Sequence, residues 1–152
     1  MSKYQELPWN NEIEFYDLHS KDIFSKFPFY HLSMIGKTKE EFASYIIDKC
    51  AINHDSVVID AGCGGGYLTH TINNICDVVG ISTSEECIKQ AKLNYPDTEF
   101  EVGNMETFCK RNMLQHPRPC SHFLCLESLH YSDIKKTFQN AYNNLKPGGL
   151  FY

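Results

Sequence analysis

The chain has 152 residues, 42% of them hydrophobic, a formal charge of −5 and a pI near 5.8. One domain of this size buries about two thirds of its unfolded surface, which excludes a disordered chain. The acidic balance, with only 14 Lys and Arg and no basic run, argues against broad binding to nucleic acid or to an anionic membrane.

In chain order, Ile13, Tyr16, Phe24 and Phe27 recur among charges over residues 11–27 and predict a helix ending before Pro28. A second helix follows Thr38, which stands three residues ahead of Glu41 as a capping box and leads into Phe42, Tyr45, Ile46 and Ile47. Strands are predicted at 57–61, 76–81, 98–103 and 121–127, separated by helical stretches. Ser82 and Glu85 repeat the capping-box spacing before Ile88, Ala91 and Leu93, and Pro96 lies just beyond that helix. A last helix, 133–145, is predicted with Ser132 as its cap and Lys146-Pro147-Gly148-Gly149 as its stop. This alternation is that of a doubly wound, mostly parallel α/β sheet. Residues 1–51 are read as an N-terminal helical cap segment and 52–152 as the core.

The seven cysteines are odd in number and contain no Cys-x-x-Cys pair, against a disulfide framework or a zinc site. The N-terminal residues are polar where a secretory signal needs an apolar stretch, and no apolar run is long enough to span a membrane. The expected compartment is the cytoplasm.

The most informative stretch is Val57-Val58-Ile59-Asp60-Ala61-Gly62-Cys63-Gly64-Gly65-Gly66. Its β-branched start suits a strand covered on both faces, and its glycines let backbone approach a ligand at a sharp turn. Residues 67–74 then begin a helix whose first N–H groups face the site. A nicotinamide or flavin fingerprint places a small residue where Tyr67 stands, and a pyrophosphate is repelled by Asp60. S-adenosyl-L-methionine, carrying a sulfonium and an ammonium, is attracted by the same carboxylate.

Three further segments fall at predicted strand ends. Ser82, followed by Thr83, occupies the position about 20 residues beyond the glycines where an acid commonly holds ribose hydroxyls. It serves either the ribose or its own helix as a cap. Val102-Gly103-Asn104-Met105-Glu106 follows the third strand, where Met105 faces either a ring or the core. Cys125-Leu126-Glu127-Ser128-Leu129-His130-Tyr131 follows the fourth, so Glu127 emerges where open α/β sheets bind ligands, and His130 is a weaker candidate there.

The pattern Asp60-x-Gly62-x-Gly64-x-Gly66 resembles motif I of the class I S-adenosylmethionine-dependent methyltransferases, and the later segments follow in that family's order over residues 28–152. The resemblance implies a Rossmann-like sheet and S-adenosyl-L-methionine bound by Asp60, Ala61, Gly62, Cys63, Gly64, Gly66, Ser82, Thr83, Asn104, Met105 and Glu127. Asn104 stands where many members have an Asp that accepts from the adenine amino group. Gly80-Ile81-Ser82-Thr83-Ser84, Gly103-Asn104-Met105, Glu127-Ser128-x-x-Tyr131 and Tyr30-His31-Leu32-Ser33-Met34-Ile35-Gly36 look most like the branch of geranyl diphosphate C-methyltransferases, with sterol, tocopherol and cyclopropane-fatty-acid relatives. That branch implies C-methylation of a prenyl diphosphate or other isoprenoid or lipid, with Glu127, Tyr131 and Tyr30 as catalytic residues that take a proton and stabilise a carbocation. N-methylation of a small amine, or a catalytically silent methyltransferase-like subunit, are the alternatives.

Family members continue past Pro-Gly-Gly through a fifth strand, a helix and a hairpin, whereas this sequence stops at Tyr152. The expectation is a sheet incomplete at its C-terminal side, with the fourth strand nearly an edge and Phe123, Leu124 and Leu126 poorly covered. Self-association or a complementing chain at that edge is expected with it.

Overall fold

The computed structural model describes residues 38–109, 119–126 and 128–152. The helix expected at 11–27, the segment 30–36 with Tyr30, and Glu127 lie outside the described residues.

Helix α1 (Lys39–Lys49) starts from the capping box read in the sequence: Thr38 Oγ1 accepts from the Glu41 amide at 3.1 Å, and the Glu41 carboxylate accepts from the Thr38 amide at 2.9 Å. Then follow β1 (Val57–Ala61), α2 (Tyr67–Asn73), β2 (Asp77–Ser82), α3 (Glu85–Asn94), β3 (Phe100–Val102), β4 (Cys120–Leu124), a 3-10 turn at Leu129–Tyr131, α4 (Ile134–Asn144) and β5 (Leu145–Phe151). The five strands form one sheet in the order β3-β2-β1-β4-β5, every pairing parallel. Each face is covered, as a parallel sheet requires. On one face, Ile46, Cys50 and Ile52 of the α1 region pack with Val58, Ile72, Val78 and Leu124; on the other, Ile59, Val79, Ile81, Phe123 and Ala141 form the core.

The fifth strand corrects the expectation for the C-terminal side. β5 pairs with β4, so β4 is interior, and Phe123 and Leu124 are fully buried. Leu126 packs against the α1-side core and Phe151 stacks on Phe123 at 5.9 Å. The strand was hidden because Lys146-Pro147-Gly148-Gly149 reads as a breaker. Leu145 pairs with Cys120 and Leu150 with His122, so these four residues loop out as a bulge, with Gly148 at φ +77°.

Local corrections follow the same logic. The cap of α3 is Ser84, whose hydroxyl accepts from the Cys87 amide at 3.1 Å, while β2 runs on through Ser82. The cap of α4 is Asp133 rather than Ser132, its carboxylate accepting from the amides of Lys135 and Lys136. Leu93 and Tyr45 are exposed instead of facing the core. Helix α4 is reversed relative to its hydrophobic spacing: Thr137, Ala141 and Asn144 are buried, whereas Ile134, Phe138 and Tyr142 are exposed. Among the described residues no helix is long and apolar enough to cross a membrane.

Candidate active site at the carboxyl edge of the sheet

The strand order reverses direction between β1 and β4, and in such sheets ligands bind outside the carboxyl ends of the strands at that switch. All four sequence segments converge there. Asp60, near the end of β1, is 3% exposed, and Thr69 of α2, fully buried, donates from Oγ1 to Asp60 Oδ2 at 2.6 Å. Burial pushes the Asp60 carboxyl up to about 6, and the Thr69 hydrogen bond pulls it part of the way back.

The glycine turn is anchored to β2: the amides of Gly62 and Cys63 both donate to the Ile81 carbonyl, at 2.8 and 3.1 Å. Gly62, Gly64 and Gly66 have φ of +88°, +53° and +84°, a region that disfavours side chains. Two of these glycines are demanded by packing as well. A Cβ on Gly62 would lie 2.2 Å from the Ser128 Cβ, and one on Gly66 would lie 2.5 Å from the Phe100 ring. Among the described residues the amides of Gly64 and Gly65 have no backbone acceptor.

Ser82 does not cap α3; its hydroxyl accepts from the Ser84 amide at 3.2 Å, beside the exposed Thr83. Asn104 is exposed after β3, its side-chain oxygen accepting from the Glu106 amide at 2.8 Å. Met105 packs against the core, and Cys125 Sγ lies 3.8 Å from its sulfur. Burial raises the Cys125 thiol to about 11, so it is no thiolate nucleophile. Ser128 joins the two halves of the site by donating to the Ala61 carbonyl at 2.6 Å. Tyr131 is exposed with its ring 3.8 Å from that of His130. The parallel sheet therefore places Asp60, Ala61, Gly62, Cys63, Gly64, Gly66, Ser82, Thr83, Asn104 and Met105 at or just beyond the carboxyl ends of β1, β2 and β3, with Tyr131 in the turn that follows β4.

Sequence reasoning missed Thr69, which lies nine residues from Asp60. It also missed Asn140 and Asn144 of α4, whose amides donate to carbonyls of the loop after β3.

This arrangement defines an α/β domain whose glycine turn and buried acid lie at the switch point of its parallel sheet, and comparison with known proteins agrees. Residues 58–149 match the family described as Methyltransferase domain, and the chain belongs to that family. It is 30% identical over 101 residues to the ubiquinone biosynthesis O-methyltransferase of Colwellia psychrerythraea, an alignment covering 65% of this chain and 41% of the relative. The chain thus spans about two fifths of the length of that relative. Its fold is similar to that of a TehB-like SAM-dependent methyltransferase from Corynebacterium glutamicum, with a TM-score of 0.67 at 16% identity over 88% of this chain and 71% of the other. It is also similar to a SAM-dependent methyltransferase from Thiobacillus denitrificans in complex with S-adenosyl-L-homocysteine, with a TM-score of 0.60 at 18% identity over 75% and 47%.

Proposed function

We propose that this domain binds S-adenosyl-L-methionine at the carboxyl edge of its sheet and serves methyl transfer to an oxygen of a small-molecule acceptor. The observation that carries the reading is the buried Asp60 carboxyl, held on one oxygen by Thr69 beneath a turn of left-handed glycines. The donor set fits the group: a carboxylate answers its cationic end, and the Gly64 and Gly65 amides, Ser82, Thr83 and Asn104 offer polar contacts along its length, with Met105 packed behind them. When bound, it supplies a methyl group activated by a positive sulfur.

Glu127 is proposed to take the proton from the acceptor hydroxyl as the methyl carbon–oxygen bond forms, with Tyr131 and Tyr30 bracketing the acceptor. Oxygen is favoured over the carbon of a prenyl diphosphate because relatives such as that of Colwellia psychrerythraea are named as O-methyltransferases. The test is transfer of labelled methyl groups to a polyhydroxylated phenol, a primary amine and an allylic diphosphate. The phenol is expected to be labelled, and Glu127→Gln is expected to lower its turnover by about 10²-fold or more while cofactor affinity stays within a few-fold. Labelling confined to the diphosphate would support the C-methylating branch instead. Unchanged turnover in the variant would reduce Glu127 to a structural role.

An odd count of seven cysteines, with no Cys-x-x-Cys pair, supports a reducing compartment such as the cytoplasm. The outer edge of β5 has no partner strand among the described residues, and Phe138, Tyr142 and Leu150 are exposed on and beside it. We place self-association there, rather than on β4. Sedimentation is expected to give a concentration-dependent dimer, and a monomer at all concentrations would refute the placement.

A further inference from the structure

The loop carrying Asn104 and Met105 is held from outside its own strand. β3 contributes only three residues to the sheet, and the loop's inner side rests on the core through Met105 and Phe108. Its outer side is fastened by α4. Asn140 Nδ2 donates to the carbonyls of Met105 and Phe108, both at 2.9 Å, and Asn144 Nδ2 donates to the Phe108 carbonyl at 3.0 Å and to the Asn140 carbonyl at 2.9 Å. Glu106 accepts from the Asp133 amide at the start of α4 at 2.8 Å.

A carboxamide nitrogen carries two hydrogens in a fixed plane. Asn140 directs both at two carbonyls three residues apart in the loop, so one side chain sets the separation of those carbonyls and the orientation of the loop. Phe108 in turn lies against Gly103, where a Cβ would come within 2.8 Å of its ring, so the same clamp fixes where the loop leaves β3. This explains why α4 turns Thr137 and Asn144 inward and leaves Ile134, Phe138 and Tyr142 outside.

We infer that Asn140, backed by Asn144, is a positioning residue for recognition of the adenine ring: it holds the loop in the one arrangement that presents Asn104 to the purine. The inference rests on the cofactor reading above. It differs from a purely structural role, in which the amides satisfy two carbonyls without consequence for ligand choice.

The experiment is calorimetric titration of the full chain and of Asn140→Asp with S-adenosylhomocysteine and with its deaminated analogue S-inosylhomocysteine. Asn140→Asp keeps the shape, removes both donors and turns a carboxylate oxygen toward two carbonyls. The unsubstituted protein is expected to prefer the adenine compound by roughly tenfold or more, the value of a lost hydrogen bond in a shielded site. The variant is expected to bind it at least roughly tenfold more weakly, with the preference falling to near unity. Hydrogen exchange in the ligand-free variant is expected to quicken at Thr107 and Phe108 and to stay slow at Ile59 and Val79. Where Asn140→Asp does not fold, Asn140→Ser reports the same ratio.

An equal loss of affinity for both compounds would overturn the inference, as would an unchanged preference in a folded variant or an absent preference in the unsubstituted protein. Failure of the unsubstituted protein to bind S-adenosylhomocysteine at all would overturn the cofactor reading itself, a distinct outcome.

Discussion

Replacing Asp60 by Asn is expected to make the cofactor-free protein more stable at pH 8 and to weaken its hold on S-adenosyl-L-methionine. The Asp60 carboxyl is pushed up to about 6, chiefly by burial, from an ordinary value of 3.8. Its folded-state value lies above its unfolded one, so the native state binds the proton more readily between those limits. Stability from this group is therefore full below about pH 4, declines as pH rises through 6 and is lost above. The difference of about 2 units corresponds to roughly 3 kcal/mol at most. An amide carries no charge and keeps an acceptor for the Thr69 hydroxyl, so the variant escapes this decline. Unfolding in urea at pH 4 and pH 8 checks the result: the variant should gain at pH 8 and show little advantage at pH 4. A cationic ligand favours the ionised carboxylate, so affinity in the unsubstituted protein should fall as pH drops below about 6. In the variant it should be lower at pH 8 by about 2 kcal/mol, roughly 30-fold. A variant no more stable at pH 8 would remove the evidence that this carboxylate is held in a costly state for binding.

Gly62→Ala and Gly64→Val should fail in different ways. A Cβ at position 62 would meet the Ser128 Cβ at 2.2 Å and its hydroxyl at 2.5 Å, with the backbone at φ +88°. Overpacking and left-handed strain each cost about 1–3 kcal/mol, a large share of a typical stability of roughly 5–15 kcal/mol. Thermal unfolding should drop sharply, and adding Ser128→Gly should relieve the packing part but recover only some of it, because the Ser128–Ala61 hydrogen bond is lost with the side chain. Gly64, at φ +53°, lies where the ligand is proposed to approach the backbone. Gly64→Val should leave a folded protein, destabilised by about 1–2 kcal/mol, that no longer binds the cofactor. Equal behaviour of the two variants in unfolding and in binding would contradict this division of labour.

What was legible in the sequence was what is decided locally or by burial on both faces. The run Val57–Ala61 forms β1 as read, and Thr38 with Glu41 forms its capping box. The glycine turn and its acid were visible because a run of three left-handed residues in one turn is met with least strain by glycine. Where two residues offered the same local chemistry, spacing chose wrongly: Ser82 with Glu85 matched a capping box, yet β2 extends through Ser82 and Ser84 takes the cap. β3 covers only Phe100–Val102 of the stretch 98–103 read as a strand. β5 was read as a stop because Pro147 and the glycines mask a bulged strand. The inward polar face of α4 was unreadable for a different reason. Asn140, half-buried, and Asn144, buried, face carbonyls more than 30 residues away in sequence, and nothing near them announces those partners.

The central claim is that the carboxyl edge around Asp60 is a site for a cationic sulfonium cofactor rather than a dinucleotide. Calorimetric titration of the full chain with S-adenosyl-L-methionine and with NAD tests it most directly. The protein is expected to bind the sulfonium compound one-to-one, to lose that binding in Gly64→Val, and to bind NAD much more weakly or not at all. Equal or tighter binding of NAD would contradict the claim.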